Sequence, residues 1–394
     1  MGFASGSVSF RRFSVLGKSP AAPDESLLAK LAEYALRPGE IGMPEEIEYG
    51  WSGGRHVLDA QFSFEHNVFA DAISFAMRVD TNKVPSELKK AWQLMEEDAA
   101  AAQNPSGFIS KNQKREVRES IRRKVDDELR SGQFRRSKLV PVLWDLPGQM
   151  IYSPASISNF EKLAELFERT FGLELSPLSS GKLALANMES MGRRRDYEDA
   201  RPTRFVHGPT GEGEYPEYPW VAKGPEPKDF LGNEFLLWLW HEADHRGGAL
   251  KTEADPITVY IDRALDVDCA YGQTGRDFLR GDGPSRMPEA RDALRSGKLP
   301  RKAGLVIDAF RQQYTLTLNA ESLAMSGVKL PDVEDAESAR VLLEERIALI
   351  RDLGRAIDAL FESFLRVRAS SAWEGQVGGI RKWILEPVKK TVAA

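Results

Sequence analysis

Apolar and polar residues alternate from Val8 to Leu16, which predicts a strand. From Asp24 to Leu36 the period lengthens to that of an amphipathic helix, with Leu27, Leu28, Leu31 and Tyr34 on one side and Pro38-Gly39 as its stop. Gly50-Trp51 and Gly53-Gly54 mark a turn-rich connection. Leu58–Phe64 and Ala72–Val79 are predicted as two strands around a turn at 65–67. Ser86 can cap a helix running to about Ala100, with Leu88, Trp92 and Met95 along one stripe. After the turn Asn104-Pro105-Ser106-Gly107, Ser110 and Gln113 form a capping box. The helix it opens carries Val117, Ile121, Val125 and Leu129, and Gly132 ends it. One apolar residue every four positions covers a partner helix but not a core, so the pair is expected to form a hairpin projecting from a sheet. The chain then returns through a strand at Lys138–Leu146, where Pro141 favours an edge, and a mate at Gln149–Ser153. A capping box at Ser158 and Glu161 opens a helix with Phe160, Leu163, Phe167 and Phe171 inside, closed by Gly172; Leu173–Leu175 adds a last short strand.

The composition shifts at Asn187. Arg193-Arg194-Arg195, several prolines and several glycines up to 228 read as a linker or insertion. Beyond it, Phe230–Ala243 is a strongly apolar helix, and Ile257–Ile261, Leu305–Ile307 and Thr315–Leu318 are predicted strands. The stretch Asp335–Arg368 is one long helix. Its apolar positions Leu343, Ile347, Ile350, Ile357, Phe361 and Phe364 follow a 4-3 spacing with Gly354 in one slot, which fits a core helix or a dimer seam. The expected class is α+β. An N-terminal domain of mixed sheet and helix (1–83 and 133–186) carries the hairpin (84–132); the linker (187–228) leads to a second α+β domain (229–394) with a long C-terminal helix.

Composition narrows the function classes. With 42% hydrophobic and 29% charged residues the 394-residue chain is globular, and a single cysteine, Cys269, excludes an internal disulfide framework and fits a reducing cytoplasm. No apolar run approaches the length that spans a bilayer, and the N-terminus lacks the apolar core and cleavage site of a secretory leader, so no membrane association is expected. It also departs from the myristoylation pattern, with Gly6 where Ser or Thr belongs. The chain carries a net charge of −5, yet Lys111–Lys138 holds 11 Lys/Arg against 5 Asp/Glu. Positive charge gathered in one place on an acidic protein suits a polyanion; the plainer reading is a solvated helix face laced with i,i+4 pairs. Phe134-Arg135-Arg136 at the foot of the hairpin adds an aromatic ring to two cations, for phosphate contact or simply a snorkelling strand entry.

Other chemistry is thin. His241-Glu242-Ala243-Asp244-His245 has the HExxH form, in which His241 and His245 would face one metal and Glu242 would act as base. Asp244 places a charge inside the motif, Gly247-Gly248 ends the helix at once, and only Glu253 or Asp262 offers a third ligand. Gly17-Lys18-Ser19 lacks the earlier glycine of a phosphate loop, since Arg12 stands there, and no Gly-x-Ser-x-Gly elbow occurs. The acidic triplets at 96–98 and 126–128 could bind Mg²⁺ in a nuclease but lie on hairpin helices, where solvated carboxylates are commoner. No cofactor is called for.

The order of features from Val8 to Ser179 resembles the RdgC family of bacterial recombination-associated proteins. The likeness rests on the opening strand and helix, Gly50-Trp51, the Lys83-Val-Pro-Ser-Glu-Leu-Lys-Lys entry to the first hairpin helix, the basic second helix into Phe134-Arg135, Trp144-Asp145, the helix from Ser158, and Leu175-Ser-Pro-Leu-Ser179. Asp229–Trp240 is similar to an apolar helix in that family's second half. The resemblance implies a non-enzymatic, sequence-independent DNA-binding protein, cytoplasmic and nucleoid-associated. It would form a ring-shaped homodimer around duplex and possibly single-stranded DNA and restrain RecA. It makes Lys111, Lys114, Arg115, Arg118, Arg122, Arg123, Arg135, Arg136 and Lys138 the candidate DNA contacts. The chain departs from the family in its length, in the insertion Arg193–Pro227 and in its extended C-terminal half, which bear on ring closure and dimer contacts.

Overall fold

The computed structural model describes residues 2–37, 47–105, 107–206, 228–252, 256–271, 274–333 and 336–386. The chain forms β1 (Val8–Leu16), α1 (Glu25–Glu33), β2 (Ile47–Ser52), α2 (Phe64–Asn67), β3 (Val68–Phe69), β4 (Ala72–Asn82), α3 (Ser86–Ala102), α4 (Lys111–Ser131), β5 (Arg135–Asp145), β6 (Met150–Ser153), α5 (Ile157–Phe171) and β7 (Glu174–Pro177). There follow α6 (Ser180–Ser190), α7 (Arg194–Asp199), α8 (Phe230–Arg246), β8 (Ala249–Lys251), β9 (Pro256–Cys269), β10 (Arg276–Gly281), α9 (Pro288–Arg295), β11 (Lys298–Ala309), β12 (Gln312–Asn319), β13 (Met325–Lys329), α10 (Ala339–Arg368) and α11 (Trp373–Leu385). The class is mixed α+β. Two compact units divide the chain, 17–147 with 155–174, and 2–16 with 148–154 and 175–386 among the described residues. The first strand, β1, and β6 therefore belong with the C-terminal unit and not with the N-terminal domain expected for them. Their backbones pair with each other, Arg11 opposite Ser153 and Ser14 opposite Met150, and β1 continues the C-terminal sheet through β13.

In the 17–147/155–174 unit an antiparallel sheet runs β5-β4-β2, with β3 on β4. One face packs Trp51, Phe75 and Trp144 against α5. Trp144 meets Phe167 edge-on at 5.0 Å and Phe171 at 4.9 Å, and the Trp51 indole N–H donates to the Thr170 hydroxyl at 2.8 Å. The α5 cap is Ser156, which accepts from the Asn159 amide, two residues before the expected Ser158; Gly172 ends the helix in the left-handed region as its sequence requires. The expected strand at Leu58–Phe64 is absent. The Asp59 carboxylate there accepts the Arg55 and Gln61 amides and the Arg55 guanidinium, a local hydrogen-bonded loop that displaces an extended ladder. The stop assigned to Pro38-Gly39 lies outside the described residues.

In the other unit the antiparallel order is β10-β9-β11-β12-β13-β1-β6. Helix α8 is buried from Leu231 to Glu242, as an all-round apolar helix must be, and packs on β9 and β11. Against it, α10 buries Leu343, Ile347, Ile350, Ile357, Phe361 and Phe364, so the 4-3 spacing is that of a core helix in this chain. Phe235 lies edge-on to Phe361 at 5.1 Å. Arg12 of β1 is buried and makes a two-pronged pair with Asp358 of α10 at 2.7 and 2.8 Å. The described part of the expected linker begins in regular structure, with Asn187 within α6 and α7 following, while 200–205 form no helix or strand. Of this unit's elements, α6, α7, β8, β10, α9, β13 and α11 have no counterpart in the pattern analysis. No helix among the described residues is long and apolar enough to cross a membrane.

Gly232 of α8 lies so close to the backbone after β12 that a Cβ there would collide with the Ala320 carbonyl. Gly232→Ala is expected to cost about 2–3 kcal/mol by overpacking. The check is the urea midpoint of unfolding; an unchanged midpoint would mean that α8 does not seat on this strand end.

Candidate nucleic-acid interface

The hairpin is built on a narrow seam. Val84, Val125 and Leu129 are buried together, with Leu88, Trp92, Ile121 and Phe134 packed around them. No side chain of α3 is fully buried, and α4 buries only Val117, Val125 and Leu129. The capping box at α4 forms as its sequence predicts, with Ser110 accepting the Gln113 amide and the Gln113 side chain accepting the Ser110 amide at 2.9 Å. Gln113 is also bonded to Asn104 across the connection, which ties the far end of the hairpin together. Gly132 closes α4 at φ 71°.

So thin a seam leaves the charged residues outside. Lys111, Lys114, Arg115, Arg118, Arg122 and Arg123 are all exposed, as are Arg136 and Lys138 on β5. Their partners differ. Arg115 pairs with Glu119 at 3.2 Å, and the Arg123 guanidinium approaches the Glu119 carbonyl at 3.4 Å. Lys124, outside the candidate set, caps the Trp92 ring at 4.6 Å. Arg118 and Arg122 are one helical turn apart, flank the seam, and have no ion-pair partner among the described residues. With Lys89, Lys90 and Gln93 of α3 they line an open groove of about 570 Å³ whose remaining lining is Ile121, Val125 and Asp126. The lining thus holds four cations and one carboxylate around a partly apolar floor, and Lys90 also pairs with Glu87 of its own helix at 3.2 Å. Lys89 and Lys90 were not among the sequence candidates. The signal for them was the Lys-Lys step one turn into α3, which the charge count over Lys111–Lys138 leaves out.

Arg135 has a different task. It pairs with Glu48 at 2.7 Å and with Asp80 at 2.9 Å, and Asp80 is held again by Arg78 at 2.6 Å. Asp80 and Arg78 are 2% and 4% exposed, so this is a buried network at the root of the hairpin, and Arg135 is part of it instead of a cation held out to a partner. Beside it, the Asn82 side-chain amide donates to the Leu129 carbonyl at 2.7 Å, fixing the end of α4 to the end of β4. Burial acts to raise the Asp80 pKa, but hydrogen bonds from Arg78, Ser137 and Arg135 and the Arg78 charge outweigh it and hold the carboxyl below its ordinary value.

Comparison with protein-family models and with curated proteins gives no match. The Arg193-Arg194-Arg195 triplet is neutralised at home, by Asp196, by Glu189 and Glu198, and by Asp199 respectively. The HExxH segment closes on itself. The His241 and His245 rings stack at 4.2 Å instead of converging edge-first on a point, and His245 Nδ1 lies 3.0 Å from the His241 carbonyl. Glu242 is buried and accepts from Gln376 at 2.8 Å, and Asp244 is bound to Arg291 and to the Trp383 indole. Asp262 accepts from the Gly283 amide at 3.4 Å, and Glu253 lies outside the described residues. No group of three or more His, Cys, Asp or Glu among the described residues could hold a metal ion.

The Asp80 network has a stability signature. Because the carboxyl's pKa is lowered on folding, its contribution is complete above the unfolded value of about 3.9 and is lost as pH falls through the folded value. Arg135→Ala is expected to cost about 2 kcal/mol at neutral pH, since it strips a partner from a buried charge. The cost should shrink in acid, read by urea unfolding at both pH values. A variant as stable as the parent at neutral pH would return Arg135 to the solvent-facing set.

Proposed function

We propose that this chain is a sequence-independent DNA-binding protein. The observation that carries the reading is the groove between α3 and α4, whose lining holds Lys89, Lys90, Arg118 and Arg122 with Asp126 as its acidic member, Arg118 and Arg122 having no ion-pair partner among the described residues. Binding of this kind needs phosphate neutralisation and counterion release, not base-edge contacts, and the groove offers cations without a reading helix or strand. Arg136 and Lys138, exposed at the hairpin's foot, extend the positive surface along β5. The feature order shared with the RdgC family supports the wider assignment: a nucleoid-associated homodimer that encloses DNA and restrains RecA-driven recombination. The stacked His241/His245 pair, with its neighbours mutually bonded, gives no comparable support to a metal hydrolase or nuclease.

The test is anisotropy of a labelled random-sequence duplex against protein at several salt concentrations. Four engaged phosphates give a slope of log K on log salt of about −3.6, from about −0.9 per phosphate. Reversing Arg118 and Arg122 to Glu together should bring the slope to about −1.8 or shallower and weaken binding at every sequence alike, with the circular dichroism unchanged. An unaltered affinity and slope in that double variant would remove the groove from the interface.

A further inference from the structure

The C-terminal unit holds a cavity of about 320 Å³ lined by β9, the end of α8 and the short 3₁₀ turn Pro284–Arg286. That is the size of a small-molecule site. We infer that it binds a small zwitterion, an α-amino acid with an apolar side chain, with Asp262 taking the ammonium group and Arg286 the carboxylate.

The backbone is shaped to present Asp262. Ile261 pairs with Leu305 and Leu265 with Ala303, so three residues of β9 lie opposite Gly304 alone. Within this bulge Arg263 takes φ 63°, and a Cβ on Gly304 would collide with the Asp262 carbonyl. Bulges of this kind re-aim a side chain. The Asp262 carboxylate has only two long contacts, 3.4 Å from the Gly283 amide and 3.4 Å from the exposed Arg263 guanidinium, so it keeps capacity to accept. Arg286 lines the same cavity, is exposed, and has no ion-pair partner among the described residues. The other carboxylate of the lining, Asp244, is already held by Arg291 at 2.7 Å and by the Trp383 indole at 3.2 Å.

Ser285 points to a ligand independently of these charges. It is 6% exposed, lines the cavity, and its hydroxyl has no hydrogen-bond partner among the described residues. A buried hydroxyl left so costs free energy, and the cavity is where a partner can come from. One available carboxylate and one available guanidinium in a small space match a ligand carrying both charges, and a guanidinium grips a carboxylate with two parallel bonds. The rest of the lining is suited to an apolar side chain. It includes Ile261, Val306 and the exposed ring of Tyr260, which lies opposite Val306 in the β9–β11 pairing.

The experiment is calorimetric titration of the full chain with L-leucine and with L-phenylalanine. The two controls each lack one charge: 3-methylbutylamine has no carboxylate and 4-methylpentanoate has no ammonium group. The inference expects saturable binding of at least one amino acid at or below about 1 mM, and of neither control. Asp262→Asn and Arg286→Gln should each weaken it about tenfold or more, with the urea midpoint unchanged. Binding of neither amino acid in that range would overturn the site. A control that binds as well as L-leucine would overturn the zwitterion, a comparison made on the parent chain alone. Full amino-acid affinity in both folded variants would overturn the assignment to this cavity.

Discussion

The carboxylate of Asp80 fixes where the hairpin begins and ends. Buried between Arg78 and Arg135, it joins the last turn-out of β4 to the first residue of β5, and Asn82 adds a bond to the end of α4. A buried charge of this kind is tolerable only when its hydrogen bonds are complete, so the two strands are held in one register at the point where two helices leave the sheet. The hairpin itself has too little apolar surface to do this. Its position is set at the root, and its own seam need only keep α3 and α4 together.

That division of labour explains how an acidic chain can offer a cationic surface. Many opposite charges are paired: each arginine of the 193–195 triplet has an acidic neighbour, Arg12 is locked to Asp358, and on the hairpin Arg115 pairs with Glu119 and Lys90 with Glu87. On the hairpin the seam runs along residues spaced four apart, and the groove beside it collects the side chains that flank the seam from both helices. Arg118 and Arg122 are there because they follow Val117 and Ile121 by one position; Lys89 and Lys90 are there because they follow Leu88. The same periodicity that closes the hairpin aligns its cations.

Much of this was legible in the sequence wherever local signals agree. The capping box at Ser110, the left-handed glycines at 132 and 172, β1 and the burial of the 4-3 positions of α10 all follow from patterns a few residues long. Where tertiary contacts decide, the pattern misleads. Asp59 draws Leu58–Phe64 into a loop although its residues alternate as a strand would. In β9 the alternation after Ile261 is interrupted at Arg263, whose φ of 63° marks a bulge; opposite it Gly304 lets the Asp262 carbonyl come close, so only the first third of a long strand was visible. The basic character of α4 was plain from composition, but the groove was not. It needs the facing of two helices, and that facing also separates Arg135, which completes a buried network, from Arg118 and Arg122, which do not.

The most direct measurement of the central claim is lysine footprinting by acetylation, read by mass spectrometry with and without bound DNA. The account requires Lys89 and Lys90 to be modified readily in the free protein and protected in the complex, more strongly than Lys302 or Lys182. Unchanged modification of Lys89 and Lys90, with protection concentrated on lysines of the other unit, would contradict it.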